Sequence, residues 1–250
     1  MDKEANKSRT LKIIKLNSIL SKYIDLITYN SNKALKTHVE FGYKDKHSVV
    51  IPNGFELDKF KFDQRERNKV RNSLNLKDNE RAIITVGRWD IQKDYYTLLK
   101  ALENLKKSNH NFKMLMVGTN LDNKNEELTS LISKHGLENR IILLGRQDNI
   151  PGLLSAADIY VSSSLGESFS NSIGEAMACE LPLVVTDVGD SRLMVGETGE
   201  VVDSGDYFSL SNELSKYVQE RKPERNKEAR KRVIENYEIK SVVEKIESNL

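Results

Sequence analysis

The chain has 250 residues, which is enough for one large domain or for two small ones. Its 39 Lys and Arg residues nearly balance 37 Asp and Glu residues, and the formal net charge of +2 argues against nucleic acid as a partner. No signal peptide is recognisable, and no apolar run approaches the roughly 20 residues that cross a bilayer. With a single cysteine, these features predict a cytoplasmic protein that contacts membranes at most peripherally.

The residue types that usually bind metal ions are scattered along the sequence. The histidines stand singly, at His38, His47, His110 and His135, and the chain contains no D-x-D pair. Cys179 lies among small and apolar residues without a neighbouring histidine, which is typical of a core residue rather than a reactive thiolate. We therefore predict no metal site and no cofactor.

Residues 1–62 are predicted to be the remnant of a second α/β domain. They contain, in order, a helix, a strand, another helix and another strand, at Leu11–Tyr23, Leu26–Tyr29, from Ser31, and Ser48–Ile51. The first helix has a basic face formed by Lys12, Lys15 and Lys22, and the last strand ends at the turn Pro52-Asn53-Gly54. Because two short strands make a poor sheet, we expect this part to leave apolar surface that needs a partner.

After a charged linker at residues 63–80, the sequence pattern changes at residue 81. Short, almost continuously apolar runs alternate with segments of helical period, and such runs suit strands buried on both faces of a parallel sheet. The pattern predicts a doubly wound, Rossmann-like α/β domain over residues 81–222. The predicted strands are Ala82–Val86, Phe112–Val117, Ile141–Leu144, Ile159–Ser162, Leu183–Thr186 and Glu200–Val202.

The helices between these strands carry recognisable start and stop signals. Asp94 is suited to cap a helix whose leucines at 98, 99, 102 and 105 share one face. A second helix, Glu126–His135, is closed by Gly136. Residues 223–250 are predicted to form two charged helices in a solvated outer layer.

In a doubly wound sheet, ligands bind beyond the carboxyl ends of the strands. There the sequence places Gly87-Arg88 with Lys93 shortly after, Gly145-Arg146, and a serine-rich stretch that ends in Ser170. Arg88 and Lys93 suit a diphosphate, and free amides at the start of the next helix would add to such a site. Taken alone, two such basic residues in a loop are more often solvated surface charges than a binding site.

Glu167 and Glu175 form the pattern E-x7-E, which puts the first carboxylate in the loop and the second about two turns into the helix. A nucleotide sugar offers hydroxyl groups at two separated places, and each carboxylate could accept from one of them. Two alternatives remain: Ser172 and Glu175 also form a capping box, and paired carboxylates occur in glycoside hydrolases. The helical position of Glu175 favours binding over acid catalysis.

Taken together, the chain resembles the family-four retaining glycosyltransferases of the GT-B fold, and in particular bacterial surface-polysaccharide members. The resemblance runs from about residue 10 to about residue 220. Its segments are Val50–Phe55, Val86–Arg88, Gln92–Asp94, Leu144–Arg146, Glu167–Phe169, Gly174–Ala178, Leu181–Ser191 and Gly196–Val202. A full relative has about 150 more residues at its N-terminus, so residues 1–62 would be the end of the acceptor-side domain.

The resemblance implies roles for individual residues. Arg88 and Lys93 would hold the donor diphosphate as the sugar leaves, and with Glu167 they are the predicted catalytic residues. Glu167 would hold the hexose together with the amides of Ser168, Phe169 and Ser170, while Glu175 would bind the ribose and Arg146 would lie near the base. The complete predicted donor site is Gly87, Arg88, Lys93, Arg146, Glu167, Ser168, Phe169, Ser170 and Glu175.

The implied activity is transfer of a hexose from a UDP- or GDP-sugar, without metal, to a growing polysaccharide or lipid-linked glycan. A separately supplied N-terminal half is an implied partner, and a donor-binding module or inactive remnant without an acceptor site is the alternative. The basic N-terminal helix could instead contact an anionic membrane, although such a face more often packs on protein. A dinucleotide-binding G-x-G-x-x-G and a P-loop are both absent from the sequence.

Overall fold

The computed structural model describes residues 2–108, 110–219 and 224–248, without the side chains of residues 2–9 and of residue 47. The predicted boundary between residues 222 and 223 therefore lies outside the described residues. The N-terminal part contains two helices and a two-stranded parallel sheet, with a short 3-10 turn after the first helix. Its elements are α1 (Asp2–Leu20), β1 (Ile27–Tyr29), α2 (Asn32–Glu40) and β2 (Ser48–Val50).

The main part of the chain is a six-stranded parallel sheet with helices on both faces, which confirms the predicted doubly wound α/β fold. Each of the six predicted strands is present, with ends that differ by at most one residue. The elements are α3 (Gln64–Ser73), β3 (Arg81–Val86), α4 (Tyr95–Lys107), β4 (Phe112–Val117), α5 (Glu126–Lys134), β5 (Ile141–Gly145), α6 (Ile150–Ala156), β6 (Ile159–Ser162), α7 (Asn171–Ala178), β7 (Leu183–Thr186), α8 (Ser191–Val195), β8 (Glu200–Val202), α9 (Tyr207–Gln219), α10 (Lys227–Tyr237) and α11 (Ile239–Glu247).

The strand order determines where the sheet offers a crevice. The order is β5-β4-β3-β6-β7-β8, so the chain builds outward from β3 in one direction and then returns to build from β6 in the other. Ile83 of β3 pairs with Met114 of β4 on one side and with Ile159 of β6 on the other. The strand order therefore reverses between β3 and β6, and loops leaving the carboxyl ends of these strands diverge there.

The core lies on both faces of the sheet. Alternate residues of β3 face opposite sides, with Ile83 packed among the helices α4, α5 and α9 and Ile84 packed among α6, α7 and α10. The leucines predicted for the inner face of α4 are fully buried. Cys179 is buried as well, and burial raises the pKa of its thiol to about 12, so it is the unreactive core residue that was predicted.

Residues 63–80, predicted as a linker, contain the helix α3, which packs against α6. Arg67 and Arg71 of this helix both form ion pairs with Asp158, at 2.6 and 3.3 Å, and also donate to carbonyl oxygens at the end of α6. Asp158 in turn accepts from the backbone of Ala82 at the start of β3. This segment therefore connects the two parts of the chain while it is anchored to the main domain, and the division into domains stays a prediction.

The C-terminal part forms two helices, as predicted, but they are more than a solvated outer layer. Ala229 and Val233 of α10 are fully buried against the core beside α7. Between α10 and α11 the backbone bonds to Phe55, whose N–H donates to Tyr237 and whose carbonyl oxygen accepts from Ile239. The buried residues of α10 are spaced by four, which puts them on one face of the helix and explains its packing against α7.

The helix α1 exposes most of its side chains over residues 10–20, apolar ones included. Ser18 and Ser21, at and just after its end, are buried, whereas Leu16, Leu20 and Tyr23 are exposed, Leu16 by 57%. Apolar exposure of this kind is the surface that was predicted to need a partner. Within the described ranges, no helix combines the length and the hydropathy that crossing a membrane requires.

Candidate functional site

The two side chains nearest the reversal of strand order form an ion pair. Lys93, after β3, donates from Nζ to Oε1 of Glu167, after β6. Both are largely buried, with side-chain exposures of 22% and 15%. Because both charges of a largely buried ion pair lose hydration, further hydrogen bonds are needed to offset that cost. The pair occupies the place where a doubly wound sheet binds its ligand.

The loop that carries Glu167 is held by hydrogen bonds to the segment after β3 and by one bond within the loop. Ser163 Oγ donates to the Lys93 carbonyl at 2.8 Å, and Ser164 Oγ donates to Glu167 Oε1 at 3.0 Å. The Leu165 amide donates to the Gln92 carbonyl at 2.7 Å. The predicted site did not include Ser163 and Ser164. Their position directly after a buried strand indicates that they lie at the site, but a run of three serines does not indicate which hydroxyl bonds to Lys93 and which to Glu167.

Two glycines allow the loops at this edge to approach one another closely. Gly118, after β4, has a φ of 139°, and a Cβ atom there would lie 1.6 Å from the Gly87 carbonyl oxygen. Gly189, after β7, has a φ of 58°, and a Cβ atom there would lie 2.3 Å from the carbonyl oxygen of Glu167. Side chains at either position would push the strand-end loops apart. A glycine directly after a strand, as at Gly118, is a sequence signal that the predicted site did not use.

The two predicted arginines lie at the surface of this edge. Arg88 is 67% exposed at its side chain and donates from Nε to Asp90 Oδ2 at 3.2 Å. The Gln92 amide and Arg88 lower the pKa of Asp90, so this carboxylate stays charged beside the arginine. Arg146, in the loop after β5, is exposed. The structure therefore joins Lys93 to Glu167 directly and leaves the convergence of both arginines on one ligand as a prediction.

The backbone before α7 presents its amides at a helix N-terminus. None of the N–H groups of Ser168, Phe169 and Ser170 donates to another residue in the described part of the chain. Ser170 is the N-cap residue of α7, and its side chain makes no capping bond. The ring of Phe169 stacks on that of Phe55 with the centroids 6.2 Å apart, which holds this segment in place. Free amides at a helix N-terminus favour a negatively charged group.

Glu175 lies on α7 in different surroundings from Glu167. It lines a cavity of about 600 Å³ together with Lys59 and Asn171. Burial raises the pKa of Glu175 to about 7, and the nearby Lys59 offsets part of that effect. The alternative of a capping box is not realised. Ser172 lies inside α7, after the N-cap residue Ser170, and its hydroxyl accepts a hydrogen bond from Tyr160 of β6 at 2.8 Å.

Asp190 ties this edge of the sheet to the N-terminal part of the chain. Its carboxylate accepts from the backbone amides of Asn32 and Lys33, at 2.8 and 3.1 Å, at the start of α2. Its own amide donates to the Ser168 carbonyl at 3.2 Å. A carboxylate at a helix N-terminus is stabilised by the unpaired N–H groups there. The sequence gave no signal for this long-range contact.

Within the described residues, no group of three His, Cys, Asp or Glu side chains is arranged to hold a metal ion. The ion pair of Lys93 and Glu167 and the segment before α7 instead provide a cation, a carboxylate and several free amides. Such a set can bind an anion and accept hydrogen bonds from hydroxyl groups.

The chain is similar in sequence to known glycosyltransferases. Residues 66–240 match the family described as Glycosyl transferases group 1. An uncharacterized glycosyltransferase of Methanocaldococcus jannaschii is 31% identical over 176 residues, covering 66% of this chain and 40% of that protein. The N-acetylgalactosamine-N,N'-diacetylbacillosaminyl-diphospho-undecaprenol 4-alpha-N-acetylgalactosaminyltransferase of Campylobacter jejuni is 28% identical, covering 68% of this chain and 46% of that protein.

Among solved structures, the Anabaena protein HepE in complex with UDP and glucose superimposes with a TM-score of 0.86 and 22% identity. The match covers 95% of this chain and 66% of that one, and it shows a shared GT-B-type fold. The chain spans from 40% to 64% of the length of the first curated relatives. The match over residues 66–240 covers most of the chain, which therefore belongs to the glycosyl transferases group 1 family.

Proposed function

We propose that the chain is the donor-binding half of a retaining, family-four glycosyltransferase. It would transfer a hexose from a UDP- or GDP-sugar to a growing polysaccharide or a lipid-linked glycan. The observation that carries the proposal is the ion pair of Lys93 and Glu167 at the reversal of strand order, beside the free amides before α7.

The proposed donor would separate this ion pair and replace each partner. A diphosphate brings negative charge to Lys93 and to the amides of Ser168–Ser170, and the hexose hydroxyls can donate to the Glu167 carboxylate that Lys93 releases. As the bond between sugar and diphosphate breaks, negative charge grows on the leaving group, and fixed cations and amides stabilise it there. Exposed Arg88 would join Lys93 at the diphosphate, Glu175 would accept from the ribose, and Arg146 would lie near the base.

The proposed transfer needs no metal ion, because Lys93, Arg88 and the amides supply the positive field. This point has its own test. Turnover of the sugar nucleotide is expected to be unchanged by EDTA and by added Mg²⁺ or Mn²⁺. Loss of activity in EDTA that a divalent ion restores would contradict a metal-free reaction.

The acceptor side of the proposal involves the exposed apolar residues of α1 and of the 3-10 turn that follows it. A polypeptide corresponding to the N-terminal half of the relatives would cover Leu16, Leu20 and Tyr23 and bring the acceptor to the donor site. We place the reaction in the cytoplasm, with peripheral contact to the inner face of the membrane where lipid-linked glycans lie.

Calorimetric titration with UDP and with GDP tests the donor site. One nucleotide should bind the wild type, and Lys93→Ala, Arg88→Ala and Glu175→Ala should each weaken it. Lys134→Ala is the matched control, because Lys134 is exposed on α5 and loses the same charge away from the site. The proposal fails when neither nucleotide binds, and the residue assignments fail when the variants bind as tightly as the control.

The alternative function is a donor-binding module without transferase activity, and the exposed apolar face of α1 favours it for the chain on its own. The two are separated by sugar release from the bound nucleotide sugar in membrane extracts. Turnover that requires an added N-terminal half supports the enzyme, whereas binding without turnover in both cases supports the module.

A further inference from the structure

The Tyr95 hydroxyl is a buried polar group for which the fold provides no partner. Tyr95 is the first residue of α4 and is 2% exposed, and its hydroxyl makes no hydrogen bond to any described residue. A phenylalanine would fill the same space without an unpaired hydroxyl, so the hydroxyl lowers the stability of the ligand-free chain. A group of this kind calls for a partner that arrives from outside the chain.

The position of the hydroxyl indicates what that partner is. A Cβ atom added to Gly87 would lie 3.1 Å from the Tyr95 hydroxyl and 3.3 Å from Cε of Lys93. The phenol and the lysine side chain therefore flank the same point, at the carboxyl end of β3. Gly87 keeps this point free of a side chain, so a ligand that reaches Lys93 also comes near the hydroxyl.

The phenol is fixed in place and remains a donor. Its ring stacks on that of Trp89 with the centroids 5.4 Å apart and the planes inclined by 14°. Asp94 starts the helix with a φ of 45°, and its side chain caps the Thr97 amide, which sets the direction in which Tyr95 enters the core. Burial raises the pKa of Tyr95, and the charge of Glu167 raises it further, so the hydroxyl keeps its proton.

We propose that the Tyr95 hydroxyl is a further donor-binding group, which donates a hydrogen bond to a phosphate oxygen held beside Gly87 and Lys93. This inference rests on the proposed function, because it needs a phosphorylated ligand at the carboxyl end of β3. Phosphate oxygens are the acceptors that suit it, since Lys93 and the free amides before α7 already favour an anion there. The bond would form only in the complex.

The test compares Tyr95→Phe with the wild type in calorimetric titrations with UDP and GDP, and with the matching free nucleoside as a phosphate-free ligand. We expect about a 10-fold loss of affinity for the diphosphate and no change for the nucleoside, since a hydrogen bond to a charged group is worth at least that factor. The melting temperature of the ligand-free variant should equal or exceed that of the wild type.

Tyr96→Phe is the matched control, because Tyr96 follows directly in α4 and its hydroxyl donates to Glu127 at the surface. Its affinity for the nucleotide should not change. Equal affinities of Tyr95→Phe and the wild type would overturn the inference while leaving the proposed function intact. An equal loss for nucleoside and diphosphate, or a lower melting temperature, would also overturn it, and a wild type that binds no nucleotide would overturn both proposals.

Discussion

Replacing Glu175 by glutamine tests whether burial in the cavity beside α7 raises the pKa of this carboxyl. The carboxyl of Glu175 has no described hydrogen-bond donor, and burial raises its pKa from the ordinary 4.5 to about 7. Between these pH values the unfolded chain has lost this proton while the folded chain still holds it. The free energy of unfolding therefore falls as the pH rises through this window.

The magnitude follows from the size of that change in pKa. A carboxyl whose pKa moves from 4.5 to about 7 costs up to about 3 kcal/mol of unfolding free energy at pH 8, and nothing below pH 4.5. Glu175→Gln removes the titration and keeps the shape of the neutral form. We therefore expect the variant to match the wild type near pH 4.5 and to be more stable by up to about 3 kcal/mol at pH 8.

Urea unfolding at several pH values from 4.5 to 8 measures this difference. Glu247→Gln is the matched control, because Glu247 is exposed at the end of α11 and its loss should leave the pH dependence unchanged. A difference between Glu175→Gln and the wild type that stays constant with pH would refute the reasoning. Under the proposed function, UDP affinity of the wild type should also rise with pH through 7, by more than that of Glu175→Gln, because the charged carboxylate is the better acceptor.

Three further substitutions test the strand-end loops and the anchor of α3. Lys93→Ala should cost about 1–3 kcal/mol in urea unfolding, because it leaves a largely buried carboxylate without its cation, whereas exposed Arg88→Ala should change stability by less than about 0.5 kcal/mol. Gly118→Ala should cost more than about 3 kcal/mol because its Cβ would overlap a carbonyl oxygen. Gly205→Ala is the control, with a φ of 80° and open space around it, and should cost about 1–2 kcal/mol. Equal melting temperatures of the two variants would contradict the close approach at Gly118. Asp158→Asn should cost about 3–5 kcal/mol, since it leaves two arginines of α3 near the core without their carboxylate, and a loss under about 1 kcal/mol would show that the carbonyl oxygens suffice.

The main sheet could be predicted from the sequence because its signal is local. The run Phe112–Val117 is apolar except for Lys113, and its other residues are buried on both faces, so the residues themselves carry the strand assignment. Asp94 and Gly136 mark helix ends by side-chain and backbone chemistry that acts within a few residues. These elements are therefore where prediction and structure agree to within one residue.

The contacts that were missed depend on residues far apart in the chain. The segment that forms α3 was predicted to be a linker because it is highly charged. Its arginines bind Asp158, which lies some 90 positions later, and charge alone does not indicate such a partner. The tail read as an outer layer for a similar reason, since Val233 is buried only because α10 meets α7. In the site, the pairing of Lys93 with Glu167 could be placed at one edge from the strand ends, whereas Asp190 gave no sign of its contact with α2.

Asp190 connects the N-terminal part of the chain to the carboxyl edge of the main sheet, where the proposed donor site lies. One carboxylate holds the start of α2, and the adjacent Gly189 packs against the backbone of Glu167. Movement of α2 relative to the main sheet must therefore either break hydrogen bonds to Asp190 or carry the Glu167 loop with it. Because α2 belongs to the same small unit as α1, a polypeptide that binds α1 under the proposed function would act close to an element that is hydrogen-bonded to Asp190. Asp190 is thus one of the contacts, together with the stacking of Phe55 on Phe169, through which the N-terminal part of the chain meets the segment that follows Glu167.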